Sequence, residues 1–300
     1  MKGRFQICWL IALMLMKFIS VGSAVLMAPA SAWAWGQEGH AIVAEIGQRR
    51  LTDTARSAIS SILTNISPTL THASLASLAS WADDYRSSRR ETTNWHFVGI
   101  PLMNDVYDPT RECKRDDQEG DCIIAELERL RNDLRCDTGE KQFNALKFAV
   151  HFVGDVQQPL HTALEEVGGN NILVEVQMKG LTCTGSCVPT TDFAKFHAVW
   201  DTVLIQKTVF VWGSYVDRLE ADWLTSPGAV GAGGGTPTGW AVEAHNAAQV
   251  VWALKPANNI LTDAYYRTVL PILDRQLAVG GLRLAGFLNE AFAAPNCPVK

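Results

Sequence analysis

Two histidines and an aspartate fall within the stretch HFVGDVQQPLH, His151 to His161, in a segment that is otherwise largely apolar. His151 and Asp155 are four apart, the spacing that sets two side chains one above the other on one face of a helix. Pro159 cannot occupy a helix interior and it biases Gln158 away from helical geometry. A helix that begins near Lys141 is therefore expected to end about there, with His161 reaching back from the loop. Imidazole and carboxylate converging from a helix and its following loop form a donor set that Zn²⁺ accepts. For one such pair alone, a buried histidine satisfied by a nearby aspartate would explain as much.

The pattern recurs. FHAVWD repeats the spacing with His197 and Asp201, and NWHFVG sets His96 between Trp95 and Phe97. Asp83, Asp84 and Arg86 close SLASWADDYR, a run of small and apolar residues that reads as a buried helix. WGQEGH carries His40 just after Trp35, and of the seven histidines only His72 and His245 lie outside these clusters. Five clustered histidines with interleaved aspartates argue for more than one metal ion.

The elements that would hold them read as helical. DCIIAELERLRNDL, QFNALKFAVHFV, FAKFHAVWDTVLIQ, GWAVEAHNAAQVVWAL and a long run from Thr262 through Phe292 carry apolar residues at helical spacing. Only Asn171 to Met178, NILVEVQM, alternates enough for a short strand or hairpin arm. The expected fold is all-α: a single mostly helical domain with a short hairpin and long loops. The glycine-rich stretch Ser226 to Gly239 reads as a flexible surface loop, since its glycines lack the strand context of a phosphate cradle.

Residues 1–34 combine a basic start, a long apolar core broken by Lys17 and a small-residue pattern Ala32-Trp33-Ala34, which reads as a signal peptide rather than a membrane anchor. Residues 35–300 then form the domain, secreted or periplasmic, and Trp35 becomes its first residue with a free α-amine beside the suspected metal cluster. The removed segment holds Lys2, Arg4 and Lys17 and no acids, so the formal charge moves from -5 to -8. Six cysteines remain once Cys8 is gone, an even set suited to disulfides in an oxidising compartment. About fifteen pairings of six cysteines exist; the expected one joins Cys113 to Cys122, Cys183 to Cys187, and Cys136 to Cys297.

Taken in order, W-G-x-x-G-H, W-A-D, W-H-F, H-x-x-x-D followed by P-L-H, G-G-N and H-x-x-W-D resemble the nuclease S-one/P-one family. These are zinc-dependent single-strand nucleases and 3′-nucleotidases, distant kin of bacterial zinc-dependent phospholipase C. The matching motifs run from Trp35 to Asp201, and beyond Asp201 only helical character and length are shared.

The resemblance implies a mostly helical fold with three zinc ions at the bottom of a cleft. It assigns Asp83, His96, His151 and Asp155 to one zinc, and His161, His197 and Asp201 to a second. The third would take the amine and carbonyl of Trp35 together with His40 and a shared Asp155. Asp83 and Asp155 become the candidate catalytic carboxylates, and a zinc-bound hydroxide the nucleophile. Arg86 matches a phosphate-contacting position, Phe97 an aromatic that stacks on a nucleobase, and Asn170 a phosphate-side asparagine.

The implied substrates are single-stranded DNA, RNA and 3′-nucleotides, and the protein is expected to be a monomer. An acidic chain repels nucleic acid overall, and the metals would supply the local positive charge. The alternative is a zinc-dependent phospholipase C, with the same metals turned on a phospholipid. Three departures stand out: Gly99 replaces an aspartate that reads the base in fungal members, KGLTCTGSCVPTTD extends the segment before FHAVWD, and Lys195-Phe196 replaces the usual Asn-Leu.

Overall fold

The computed structural model describes residues 35–104, 106–188, 191–293 and 297. The expected signal peptide and its cleavage point lie outside them. At the centre stands the helix Gly139–Asp155, buried on every side from Ala145 to Asp155. A helix apolar all round has to be enclosed by others, and here Ile123–Cys136, Asp53–Ile66, Gln37–Gln48 and the C-terminal helix Asp263–Ala293 pack around it. The last turn of this enclosed helix carries His151 and Asp155, so chemistry-bearing side chains are delivered into the interior.

Local signals set the helix ends. Thr52 caps Asp53–Ile66 by accepting the Ala55 amide, and Thr236 caps Pro237–Leu254 by accepting the Gly239 amide. The central helix stops at Asp155, and Pro159 opens the 3₁₀ turn Pro159–Thr162, which carries His161. The C-terminal helix crosses Gln37–Gln48 closely because Gly281 has no side chain: a Cβ there would lie 2.3 Å from Ile46 Cγ2.

Three strands complete the fold, in the order β2-β1-β3, with β1 at Leu173–Gln177, β2 at Asp192–Lys195 and β3 at Ile260–Thr262. β1 and β2 form the expected hairpin, antiparallel, with Leu173 opposite Lys195 and Val176 opposite Asp192. β3, which sequence reading does not find, joins β1 in parallel.

Several expectations need correction. FAKFHAVWDTVLIQ is not helical throughout: Phe193 to Lys195 belong to β2, and helix starts at Phe196 because the first residues pair with β1. Asp83 does not end a buried helix. The run before it makes a short 3₁₀ turn, Leu75–Ser77, and the helix Trp81–Ser88 begins just ahead of Asp83.

The glycine-rich stretch is packed in part rather than loose. Gly233 lies against the Leu282 carbonyl, and Trp240 donates its indole N–H to the Gly234 carbonyl at 2.8 Å. Disulfides Cys113–Cys122 and Cys183–Cys187 are formed. Cys136 and Cys297 are free thiols: they lie within hydrogen-bonding reach of each other, and the Cys297 Sγ is turned to the Arg135 carbonyl, 3.8 Å away, at the helix end.

The tight crossing at Gly281 gives a direct test of packing. Gly281→Ala must push Ile46 aside, and overpacking of this kind costs about 1–3 kcal/mol. Urea unfolding should show that loss with an unchanged slope, whereas wild-type stability would mean that the two helices are free to separate.

Candidate metal centre

The sequence-predicted ligands converge. Three groups each bring their ligand atoms within 4.8 Å of one another: His40, His151 and Asp155; Asp83, His96 and His151; and His161, His197 and Asp201. All of these residues are buried. They come from the helices Gln37–Gln48, Trp81–Ser88 and Gly139–Asp155, the 3₁₀ segments Arg90–His96 and Pro159–Thr162, and the helical stretch after β2. Residues far apart in sequence thus meet in one water-poor interior.

Distances in the first two groups are those of a coordination shell. His96 Nδ1, His151 Nε2 and Asp155 Oδ2 are mutually 3.1 Å apart, and Asp83 Oδ1 stands 3.7 Å from both nitrogens. A tetrahedral ion with bonds of about 2.0–2.1 Å needs ligand-to-ligand edges of about 3.3–3.4 Å. Asp155 faces two ways, since its other oxygen, Oδ1, lies 3.2 Å from His40 Nε2. The His40 and His151 rings stack with centroids 3.8 Å apart.

Trp35, the proposed N-terminal ligand, is wholly buried, with its indole donating to the Gly154 carbonyl at 2.8 Å. The next amide, Gly36 N–H, donates to the Asp201 carbonyl at 2.8 Å. The start of the domain is thereby fixed against residues of the cluster.

Backbone carbonyls orient three of the rings. Nδ1 of His151 faces the Ala79 carbonyl at 2.6 Å, Nδ1 of His161 the His96 carbonyl at 2.8 Å, and Nδ1 of His197 the Gly168 carbonyl at 2.7 Å. A carbonyl only accepts, so each Nδ1 carries a proton and Nε2 turns inward, bare wherever the ring is neutral. Those lone pairs face carboxylate oxygens: His151 Nε2 meets Asp155, and His197 Nε2 lies 3.5 Å from Asp201 Oδ2. Lone pair against carboxylate is repulsive unless a positive charge sits between them.

Proton affinities express the same demand. Burial lowers His40 to about 4 and His96 and His197 to about 3, and it lowers His161 as well. Burial also pushes Asp83 up to about 6 and Asp201 well above the usual carboxylate range. At His151 burial is outweighed by the Asp155 and Asp83 carboxylates, which raise it to about 9. Both His40 nitrogens, His96 Nε2 and His161 Nε2, with Asp83 Oδ1 and Asp155 Oδ1, make no hydrogen bond. Three buried carboxylates, orphaned nitrogens and the absence of thiolate from the groups fit divalent cations of the zinc type.

The turn that carries the Gly168 carbonyl is unusual. Glu166, Val167, Gly168 and Gly169 all have positive φ, at 50°, 56°, 59° and 83°. Left-handed geometry at a β-branched residue is an outlier, with a strain of about 1–3 kcal/mol. At Gly168 a Cβ would lie 2.4 Å from the Leu160 carbonyl, so the turn fits under Pro159–Thr162 only with glycine there.

The expected substrate contacts lie as follows. Arg86, half-buried, is near enough for its charge to lower Asp83, His96, His161 and His197. Phe97, 37% exposed, lines a cavity of about 290 Å³ with Gly99, Lys114 and Leu164. Leu164 occupies the space beside Gly99, its Cδ1 3.0 Å from where a Cβ would stand. Asn170 turns its amide N–H to the Val167 carbonyl at 3.0 Å, so its donor steadies the left-handed turn.

Sequence reading does not single out the Ala79, His96 and Gly168 carbonyls, nor Gln158, which donates to Asp201 Oδ1 at 2.6 Å. A visible signal for the last was the polar pair Gln157-Gln158 inside an apolar run.

Comparison with known proteins agrees with this arrangement. The chain is 31% identical to Nuclease P1 of Penicillium citrinum over 284 residues, covering 85% of this chain and 97% of that protein. Endonuclease 2 of Arabidopsis thaliana is 30% identical over 295 residues, covering 89% and 94%. Nuclease S1 of Aspergillus oryzae is 26% identical over 306 residues, covering 93% and 99%. The family model described as S1/P1 Nuclease matches residues 35–293, the span that contains every ligand group, and the chain belongs to that family.

Proposed function

We propose that the chain is a zinc-dependent phosphodiesterase: an endonuclease on single-stranded DNA and RNA that also hydrolyses 3′-nucleotides. The observation that carries this reading is the convergence of five imidazoles and three carboxylates in one dry interior, with ligand atoms at coordination spacing. Relatives called nucleases and endonucleases over most of their length support it. The protein acts as a monomer in the secreted or periplasmic space. Among the described residues, no helix is long and apolar enough to cross a membrane.

Asp83, His96, His151 and Asp155 would hold one zinc, His161, His197 and Asp201 a second, and the Trp35 amine and carbonyl with His40 and Asp155 a third. Zinc bound there supplies Lewis acidity toward phosphate oxygens and lowers the pKa of water. The protein's part is orientation. Carbonyls of Ala79, His96 and Gly168 fix the rings, and Asp155 offers one oxygen to each side. Arg86 brings a guanidinium whose planar donors suit phosphate oxygens. Phe97, next in the chain to His96, presents a partly exposed ring, and stacking on such a ring requires an unpaired base but tolerates any sequence.

The deciding experiment assays single-stranded DNA, RNA, a 3′-nucleotide and phosphatidylcholine vesicles, each with and without chelator. Hydrolysis of the first three, abolished by chelation and restored by zinc, is expected. Full turnover by metal-free protein, or phosphatidylcholine as the sole substrate, would refute the proposal.

Because Asp155 faces two ligand groups, Asp155→Asn should lose two ions, while Arg86→Ala should keep all three and chiefly raise KM. Elemental analysis of the purified variants decides it; full zinc occupancy in Asp155→Asn would remove the bridging role.

Acid should destabilise the metal-free protein. Below about pH 6.5 the unfolded chain protonates its histidines, whereas burial keeps His40, His96, His161 and His197 neutral in the fold. Asp83 and Asp201 act the opposite way, holding protons more tightly when folded. His151, raised to about 9, is protonated in both states below about pH 6.5. Four imidazoles outnumber two carboxyls, so the unfolded state binds more protons and Tm should fall from about pH 6.5 toward about pH 4. A Tm that is flat or rises with acidification contradicts this accounting.

A further inference from the structure

We infer that Gln158 is a positioning residue that leaves Asp201 a single free oxygen for its metal, an inference that rests on the metal reading above. Gln158 is wholly buried between the central helix and Pro159–Thr162. Its Oε1 accepts the Leu160 N–H at 2.6 Å, which fixes the amide's orientation: the oxygen is committed, so the nitrogen must face the other way. There Nε2 donates to Asp201 Oδ1 at 2.6 Å.

Asp201 is thus gripped from outside the coordination group. With Oδ1 engaged by the amide, Oδ2 remains, turned to His197 Nε2 at 3.5 Å. The His161 and His197 rings are fixed in turn by carbonyls, so all three members of this group have a partner outside it, although Asp201 Oδ1 also lies 3.9 Å from His161 Nε2. A carboxylate held on one oxygen is biased toward one-oxygen binding, because chelation through both would make Oδ1 share its lone pairs between the amide and the metal. Coordination positions at this ion then stay open, which distinguishes a catalytic site from a closed structural one.

The neighbouring Gln157 does something else. Its carbonyl accepts from Gln276 at 2.7 Å and its Oε1 from Arg283 at 2.7 Å, and both partners belong to the C-terminal helix. Arg283 is paired in turn with Glu243. Two adjacent glutamines therefore face opposite ways: one ties the segment to the helical core, and the other adjusts a ligand. That contrast supplies the control.

The test compares wild type, Gln158→Met and Gln157→Met, methionine being similar in bulk and free of strong donors. Zinc is titrated against competing chelator, and the melting of each metal-free protein is recorded. In Gln158→Met one ion should bind about 10–100-fold more weakly, as for other partners of metal ligands, with the remaining ions unchanged. Gln157→Met should instead lower the metal-free Tm and leave every affinity at its wild-type value. In the cobalt-loaded Gln158→Met protein the visible absorption of one site should also change, reporting a new coordination number.

Wild-type affinity for all ions in Gln158→Met would overturn the inference, and so would equal weakening of all of them in step with a lower Tm. Should Gln158→Met fail to fold, nitrogen-15 NMR of loaded wild type decides: the Gln158 side-chain amide should exchange slowly with solvent, and fast exchange refutes the bond. Failure of wild type to bind metal at all would instead refute the metal reading, so the two failures are separable.

Discussion

Asp83, Asp155 and Asp201 are all buried, and carboxylates so placed need positive charge between them. Much of the architecture follows from that constraint. The central helix is enclosed by others, so its final turn arrives in the middle of the protein. Imidazoles approach from several segments, three of them with their outer nitrogens committed to carbonyls, and the inner nitrogens crowd against carboxylates and one another. Protons would meet the demand only in part, since burial makes most of these rings poor bases. Divalent cations would meet it fully, and the three His/Asp groups could hold them.

What was legible in the sequence divides along the same physical line. His151 with Asp155 and His197 with Asp201 announce themselves because helical spacing turns sequence distance directly into proximity. Pro159 announces the end of the central helix through its own covalent geometry. The carbonyls of Ala79, His96 and Gly168 leave no such trace, because every residue has a carbonyl and only the tertiary fold decides where it points. Val167 gives no warning either: a β-branched side chain favours strand, yet the surrounding turn holds it in left-handed geometry.

The same reasoning explains the errors in the fold. Phe193 to Lys195 look like the start of a helix until β1 offers them a pairing partner, and Ile260 to Thr262 are too few to alternate recognisably. Cys136 and Cys297 count as a pair by elimination, but elimination says nothing about whether two thiols close into a bridge. In each case the missing information is a partner distant in the chain.

Strand β2 runs through Lys195 directly into Phe196 and His197, so the register of a small sheet sets the position of a metal ligand. A slip of one residue would carry His197 along by about 3.3 Å and reverse which side chains face inward. The far end of this hairpin, where the Cys183–Cys187 loop extends it, is four paired positions away from that ligand. Between the paired strand and that loop, Thr182 N–H donates to the Lys207 carbonyl at 3.2 Å and Lys179 N–H to Asp263 at 2.8 Å, so the connection is held by further contacts before the disulfide-closed tip. This makes the disulfide-closed tip, rather than the paired strands, the natural place for attaching a fused domain or a surface tether.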